Sequence, residues 1–173
     1  MTIMIKNVLL LMLLPVILFS CNQHSKEEEK TVAVEEGADE LLMALDRINA
    51  KIRTDSLNPD LYDERALIYL DNEAFNEAFK DITSALELDS TYSGYYVTLS
   101  DVYLGMGKLQ KTVEALEKAI LLDNRKSTAY LKLAEMSIVI RDYKKALGYI
   151  DLALQVDDLI AKAYMLRGVI MIE

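Results

Sequence analysis

The side chains best suited to chemistry are few in this sequence. Cys21 is its single cysteine and His24 its single histidine. A thiol can act as a nucleophile, pair in a disulfide or join other ligands around a metal ion, but one cysteine has no partner for the last two roles. Cys21 follows Ser20 at the end of the apolar run Val8 to Phe19. That position suits a nucleophile presented at a membrane surface; the plain alternative is a thiol buried in a core. His24 lies in a charged segment beside Cys21, outside any folded site. Gly105-Met106-Gly107 lacks the following Gly and Lys that a phosphate loop requires. Asp157 and Asp158 fall where a helix ends, whereas paired acid and base roles need a pocket. The net charge of −9 repels nucleic-acid phosphate. Neither catalytic residues, nor a cofactor, nor a metal site, nor nucleic-acid binding is therefore expected, and the chain reads as no enzyme.

The elements that would position Cys21 are legible. Residues 1–20 carry one charge, Lys6, before an apolar run of about a dozen residues, too short for the roughly 20 that a helix needs to span a bilayer. This is the pattern of an export signal peptide. Leu18-Phe19-Ser20-Cys21 resembles the lipobox of bacterial lipoproteins, which implies cleavage before Cys21 and lipid attachment on its sulfur. Residues 21–37 then read as a solvated, acidic tether. Within it, Ser25-Lys26-Glu27-Glu28-Glu29 resembles a short signal sending lipoproteins of some Gram-negative bacteria to the outer face of the outer membrane; a plain tether fits the same residues. The implied location is the bacterial cell envelope, lipid-anchored at the outer membrane, periplasmic or surface-exposed.

Beyond the tether the chain repeats itself. Tyr62, Tyr96, Tyr130 and Tyr164 recur at an interval of 34, as do Ala85, Ala119 and Ala153. The small residues Ala66, Ser100, Ala134 and Gly168 keep the same register, and so do Ala78, Thr112 and Ala146. Each unit closes on a similar run, Ala85-Leu86-Glu87-Leu88-Asp89, Ala119-Ile120-Leu121-Leu122-Asp123 or Ala153-Leu154-Gln155-Val156-Asp157. Apolar residues spaced i, i+3, i+4 and i+7 predict helices. Upstream, Leu41, Ala44, Leu45, Ile48 and Ile52 make one more amphipathic stripe, read as a capping helix over residues 38–58.

This pattern resembles the tetratricopeptide repeat, a unit of about 34 residues made of two antiparallel helices. The resemblance implies an all-α fold of helix hairpins stacked as a right-handed solenoid, with repeats over residues 59–92, 93–126 and 127–160 and the first helix of a fourth over 161–173. The turn Gly107-Lys108-Leu109 suits the pattern, as does Arg141-Asp142-Tyr143, while Glu73-Ala74-Phe75 is a poorer turn. The helix-ending proline is replaced by Ser90, Asn124 and Asp158, which still favour turns. Residues 166–173 would leave aliphatic side chains uncovered, so that either a longer protein continues the stack or this edge is a docking site.

The resemblance also implies which residues line the inner face of the solenoid: Asp60, Asp63, Leu67, Leu70 and Asp71, then Val97, Asp101 and Leu104, then Leu131, Glu135 and Ile138. A protein or peptide partner rich in basic and apolar residues fits them, and a solvated groove without ligand is the plain alternative. Relatives that grip acidic chaperone tails use Lys, Arg and Asn there, so Asp63 and Leu67 argue against that ligand. Two functions follow as expectations: an interaction scaffold on a membrane-anchored lipoprotein, serving envelope assembly or docking, or the leading module of a longer envelope enzyme, sensor or glycan-uptake protein whose active domain lies beyond Glu173.

Overall fold

The computed structural model describes residues 39–172. The signal-peptide reading, Cys21, His24, the tether, residue 38 and Glu173 lie outside the described residues. Every regular element among the described residues is a helix: α1 over residues 39–54, then α2 (Pro59–Asp71), α3 (Phe75–Leu88), α4 (Ser93–Gly105), α5 (Leu109–Leu122), α6 (Ser127–Val139), α7 (Tyr143–Val156) and α8 (Ala161–Ile172). The chain divides into two compact units, Met1–Asp46 and Arg47–Glu173. Of the first, residues 39–46 are described and helical throughout. The second carries the hairpins.

Within the second unit, α2 pairs with α3, α4 with α5 and α6 with α7, and successive hairpins stack through α3 on α4, α5 on α6 and α2 on α4. α8 packs on α6 and α7. The second helix of each hairpin buries one stripe: Ala78, Ile82 and Ala85 in α3, Ala115, Leu116 and Ala119 in α5, Ala146, Ile150 and Ala153 in α7. Their opposite faces carry the charges that a solvated helix side needs. α6 instead has neighbours on several sides and buries Ala129, Tyr130, Leu131, Leu133, Ala134 and Ser137 around its circumference. Ala66, Ser100 and Ala134 are wholly buried. A small side chain at that register lets paired backbones approach, and added methylenes in such a filled space force neighbours off their rotamers.

One hydrogen-bonding scheme closes all three hairpins. The Ala74 N–H donates to the Tyr69 carbonyl, Lys108 to Tyr103 and Asp142 to Ser137, each at 2.8 Å, while Glu73, Gly107 and Arg141 donate to Leu70, Leu104 and Ile138. These are the paired bonds of a Schellman ending, which needs a left-handed residue after the helix. Glu73, Gly107 and Arg141 hold that place with φ of 57°, 71° and 61°. The turn at Glu73, expected to be the poorer one, has the same geometry as the others. Its left-handed strain is of order 1 kcal/mol, which the two turn bonds and the packing of α2 on α3 outweigh.

The ends of the units are equally regular. Asp89, Asp123 and Asp157 each accept a hydrogen bond from the main-chain N–H two residues on, at 2.8 to 2.9 Å. These Asx turns stop α3, α5 and α7 without proline. The Thr91 hydroxyl also donates to Asp89, and these bonds hold that carboxyl below the usual carboxylate range. In the second unit's part of α1, Ile48 is buried, Asn49 accepts from Arg65 at 2.6 Å and Lys51 pairs with Glu64 at 2.9 Å, so residues 47–54 lie against α2.

Candidate protein-binding groove

The residues expected on the inner face come from α2, α4 and α6, one helical turn apart along each helix. Leu67 and Leu104 are 44% and 47% exposed. Asp71, at the end of α2, is also exposed. Leu70 is half-buried against the cluster of Ala66, Ala85 and Tyr95, Val97 against Leu116 and Ala129, and Ile138 against Tyr130 and Leu166. These three supply more support than contact surface. Leu131 departs from the expectation. It is only 4% exposed and packs with Ala163 and Leu166, because α8 stacks over α6 and covers it.

The carboxylates also differ from free rim charges. Asp101 on α4 pairs with Lys132 on α6 at 2.6 Å, and Glu135 on α6 pairs with Lys162 on α8 at 2.8 Å. Each links neighbouring units and is matched by a cation of the chain itself. Asp60 accepts a hydrogen bond from the Tyr95 hydroxyl. Burial first, and then this carboxylate, holds the Tyr95 phenol above its ordinary range. Asp63 turns one oxygen, Oδ1, into a buried position with no hydrogen-bond partner. Its carboxyl is pushed above the usual range chiefly by burial and further by Asp60, against the opposing pull of Thr98 and Lys126.

Three of the expected residues, Asp101, Leu104 and Glu135, meet around one cavity of about 180 Å³. Ser100, Thr112 and Leu116 form its floor, Leu109 one wall, and Met136, Val139 and Ile140 the far side, with Lys132 at the edge. The exposed wall is almost wholly apolar. Val139 and Ile140 stand 82% and 71% exposed at its mouth. Leu109, Met136, Val139, Ile140, Lys132 and Lys162 were not among the expected residues. For Lys132 a signal existed: it precedes Glu135 by three residues, so any helix presenting one beside its neighbour presents the other. Leu109 sits on a second helix, and nothing local marks it as facing the groove.

Among the described residues no group of three or more His, Cys, Asp or Glu side chains is arranged to hold a metal ion. No described helix is long and apolar enough to cross a membrane.

A family model described as tetratricopeptide repeat matches residues 93–126, the α4–α5 hairpin. No curated protein matches the sequence significantly. Among solved structures, the Arabidopsis OM64 TPR domain is 20% identical, with a TM-score of 0.61 over 66% of this chain and 94% of that one. MamA from Desulfovibrio magneticus RS-1 is 16% identical, with a TM-score of 0.60 over 72% and 71% of the two chains. Pseudomonas aeruginosa pilF is 23% identical, with a TM-score of 0.60 over 70% of this chain and 55% of that one. Identities this low speak to the fold alone. With the family match on one hairpin and the same turn and pairing scheme in its neighbours, residues 93–126 are a tetratricopeptide repeat and the chain has the fold of tetratricopeptide-repeat proteins.

Proposed function

We propose that this chain is a non-enzymatic scaffold that binds another protein through the groove of α2, α4 and α6, and that it works from the bacterial envelope as a lipid-anchored assembly or docking factor. The observation that carries the binding role is the apolar cavity between α4, α5 and α6, with Leu104, Val139 and Ile140 exposed around it. Exposed aliphatic side chains around a concave, mostly apolar wall have a high cost in water unless a partner covers them. The anchor rests on the sequence Leu18-Phe19-Ser20-Cys21 and the apolar run before it. The segment Lys26-Glu27-Glu28-Glu29 supports the outer membrane as its destination.

Site-specific photo-crosslinking in cells tests the binding role. A crosslinker at Leu104 should capture a discrete partner, and one at Glu117, exposed on α5, should not. Equal capture at both places, or none at Leu104, would exclude the groove. Cys21→Ala should abolish labelling by a fatty-acid probe and leave the protein unprocessed or free of the membrane; unchanged labelling would remove the anchor. Protease added to intact cells should digest the described domain, and full protection there would reduce the Lys26 to Glu29 segment to a tether.

A further inference from the structure

The groove is not uniform in charge or in shape. Around the cavity Asp101 is matched by Lys132 and Glu135 by Lys162, so both carboxylates that line it already have a cation of the chain itself. On the α2 side no Lys or Arg forms an ion pair with Asp60, Asp63 or Asp71 among the described residues. Asp63 is partly buried, while Asp60 and Asp71 are both exposed; Asp60 lies in the first turn of α2 and already accepts from the Tyr95 hydroxyl, whereas Asp71 ends the helix. Asp71 follows Leu67 by one turn of α2, and the interval of 34 puts it level with Gly105, next to Leu104 at the cavity.

Size narrows the occupant. Pockets for drug-sized ligands and cofactors enclose roughly 300 to 1,000 Å³, whereas an apolar cavity of about 150 Å³ takes a benzene ring. The cavity here, at about 180 Å³, fits one large side chain.

We propose that the groove takes a linear peptide that inserts a single Phe, Leu or Met side chain between α4, α5 and α6 and sets a Lys or Arg against Asp71 on the α2 side. The proposal rests on the protein-binding reading of the groove and refines it. The apolar anchor supplies most of the affinity, because one desolvated side chain in a preformed pocket commonly dominates an interface. The basic residue sets orientation and salt dependence, because Asp71 is exposed and screened. Asp101 and Glu135, already paired, add little charge recognition of their own.

The test is selection of a displayed library of random linear peptides on the full chain, followed by binding measurements with the enriched peptides. These should share one large apolar residue with a basic residue to one side of it. Val139→Asp, at a largely exposed position of the mouth, should weaken them by about tenfold or more while the helical circular dichroism and the melting temperature stay unchanged. Asp71→Asn should weaken them at low salt and matter little at high salt. The double change Asp101→Asn with Lys132→Gln should leave the salt dependence as it was. Peptides that ignore both Val139→Asp and Ile140→Asp, or that carry acidic residues in place of basic ones, would overturn the cavity as anchor and leave the groove standing as a binding surface. Failure to enrich any peptide would overturn both.

Discussion

The Tyr130 hydroxyl donates a hydrogen bond to the main-chain carbonyl of Asn124, 3.2 Å away and six residues earlier. Tyr62 does the same to Ser56, Tyr96 to Ser90 and Tyr164 to Asp158, at 2.8 to 3.2 Å. Each tyrosine, one turn into a first helix, ties down the loop by which its unit begins. For Tyr96, Tyr130 and Tyr164 the carbonyl belongs to the residue that replaces the helix-ending proline. The bond restrains a loop whose φ no proline ring restricts.

Removing one of these hydroxyls should therefore destabilise the stack. Tyr130 is buried, and Tyr130→Phe should cost about 1 kcal/mol in urea unfolding. Tyr164→Phe should cost less, since Tyr164 is exposed and water can serve the freed carbonyl. Equal, negligible losses at both positions would show the bonds to be incidental.

Glu73 has a left-handed backbone at the position where the next hairpin has Gly107. Glu73→Gly should raise stability by up to about 1 kcal/mol, the relief of left-handed strain less the extra freedom glycine has in the unfolded chain. Glu73→Ala keeps the strain and should give no such gain. Denaturation midpoints of the two variants decide it.

Arg65 donates two hydrogen bonds of 2.6 Å to the buried carboxylate of Asp81, joining α2 to α3. Arg65→Ala strands that carboxylate and should cost about 3 kcal/mol or more. Replacing both partners by Leu should cost far less than the single change, because the penalty comes from an unpaired buried charge. Thermal melts of the single and double variants measure the difference.

Asp63 gives the first two hairpins an acid-dependent contact. Its folded carboxyl titrates above the value of 3.8 of an unperturbed Asp, chiefly through burial. The neutral form is thus favoured by folding. Its contribution is complete below 3.8 and is lost as the pH rises through the raised folded value. Asp63→Asn should accordingly flatten this part of the stability profile and be as stable as the parent, or more so, at neutral pH. A variant that lost stability at neutral pH would show that the Thr98 contact needs the charged form.

Ala119 is wholly buried where α5 meets its neighbours. Ala119→Leu should overpack that space and cost about 1 to 3 kcal/mol. Since each hairpin is stabilised by the next, weakening the middle one should also broaden the unfolding transition. An unchanged melting curve would contradict the packing.

The helices, their hairpin pairing and the interval of 34 could be read without coordinates, because each unit restates the same local pattern. Apolar spacing sets which face of α3, α5 and α7 turns inward, small residues such as Ala66 and Ala134 mark the close approaches, and Asp89, Asp123 and Asp157 end helices through bonds to residues two places away. All of these are short-range effects. The groove depended on longer-range ones. Leu131 is an inner-face residue by register, but α8 covers it, and only the stacking of α8 on α6 decides that. Asp101 and Glu135 look like open charges in sequence, yet Lys132 and Lys162 reach them across 31 and 27 positions of chain. The cavity is formed by three helices whose mutual offset sets whether a gap remains between them. Helix formation follows from each segment's own residues; which side chains stay open to a partner follows from how neighbouring segments pack, and that is settled by contacts among residues far apart in the chain.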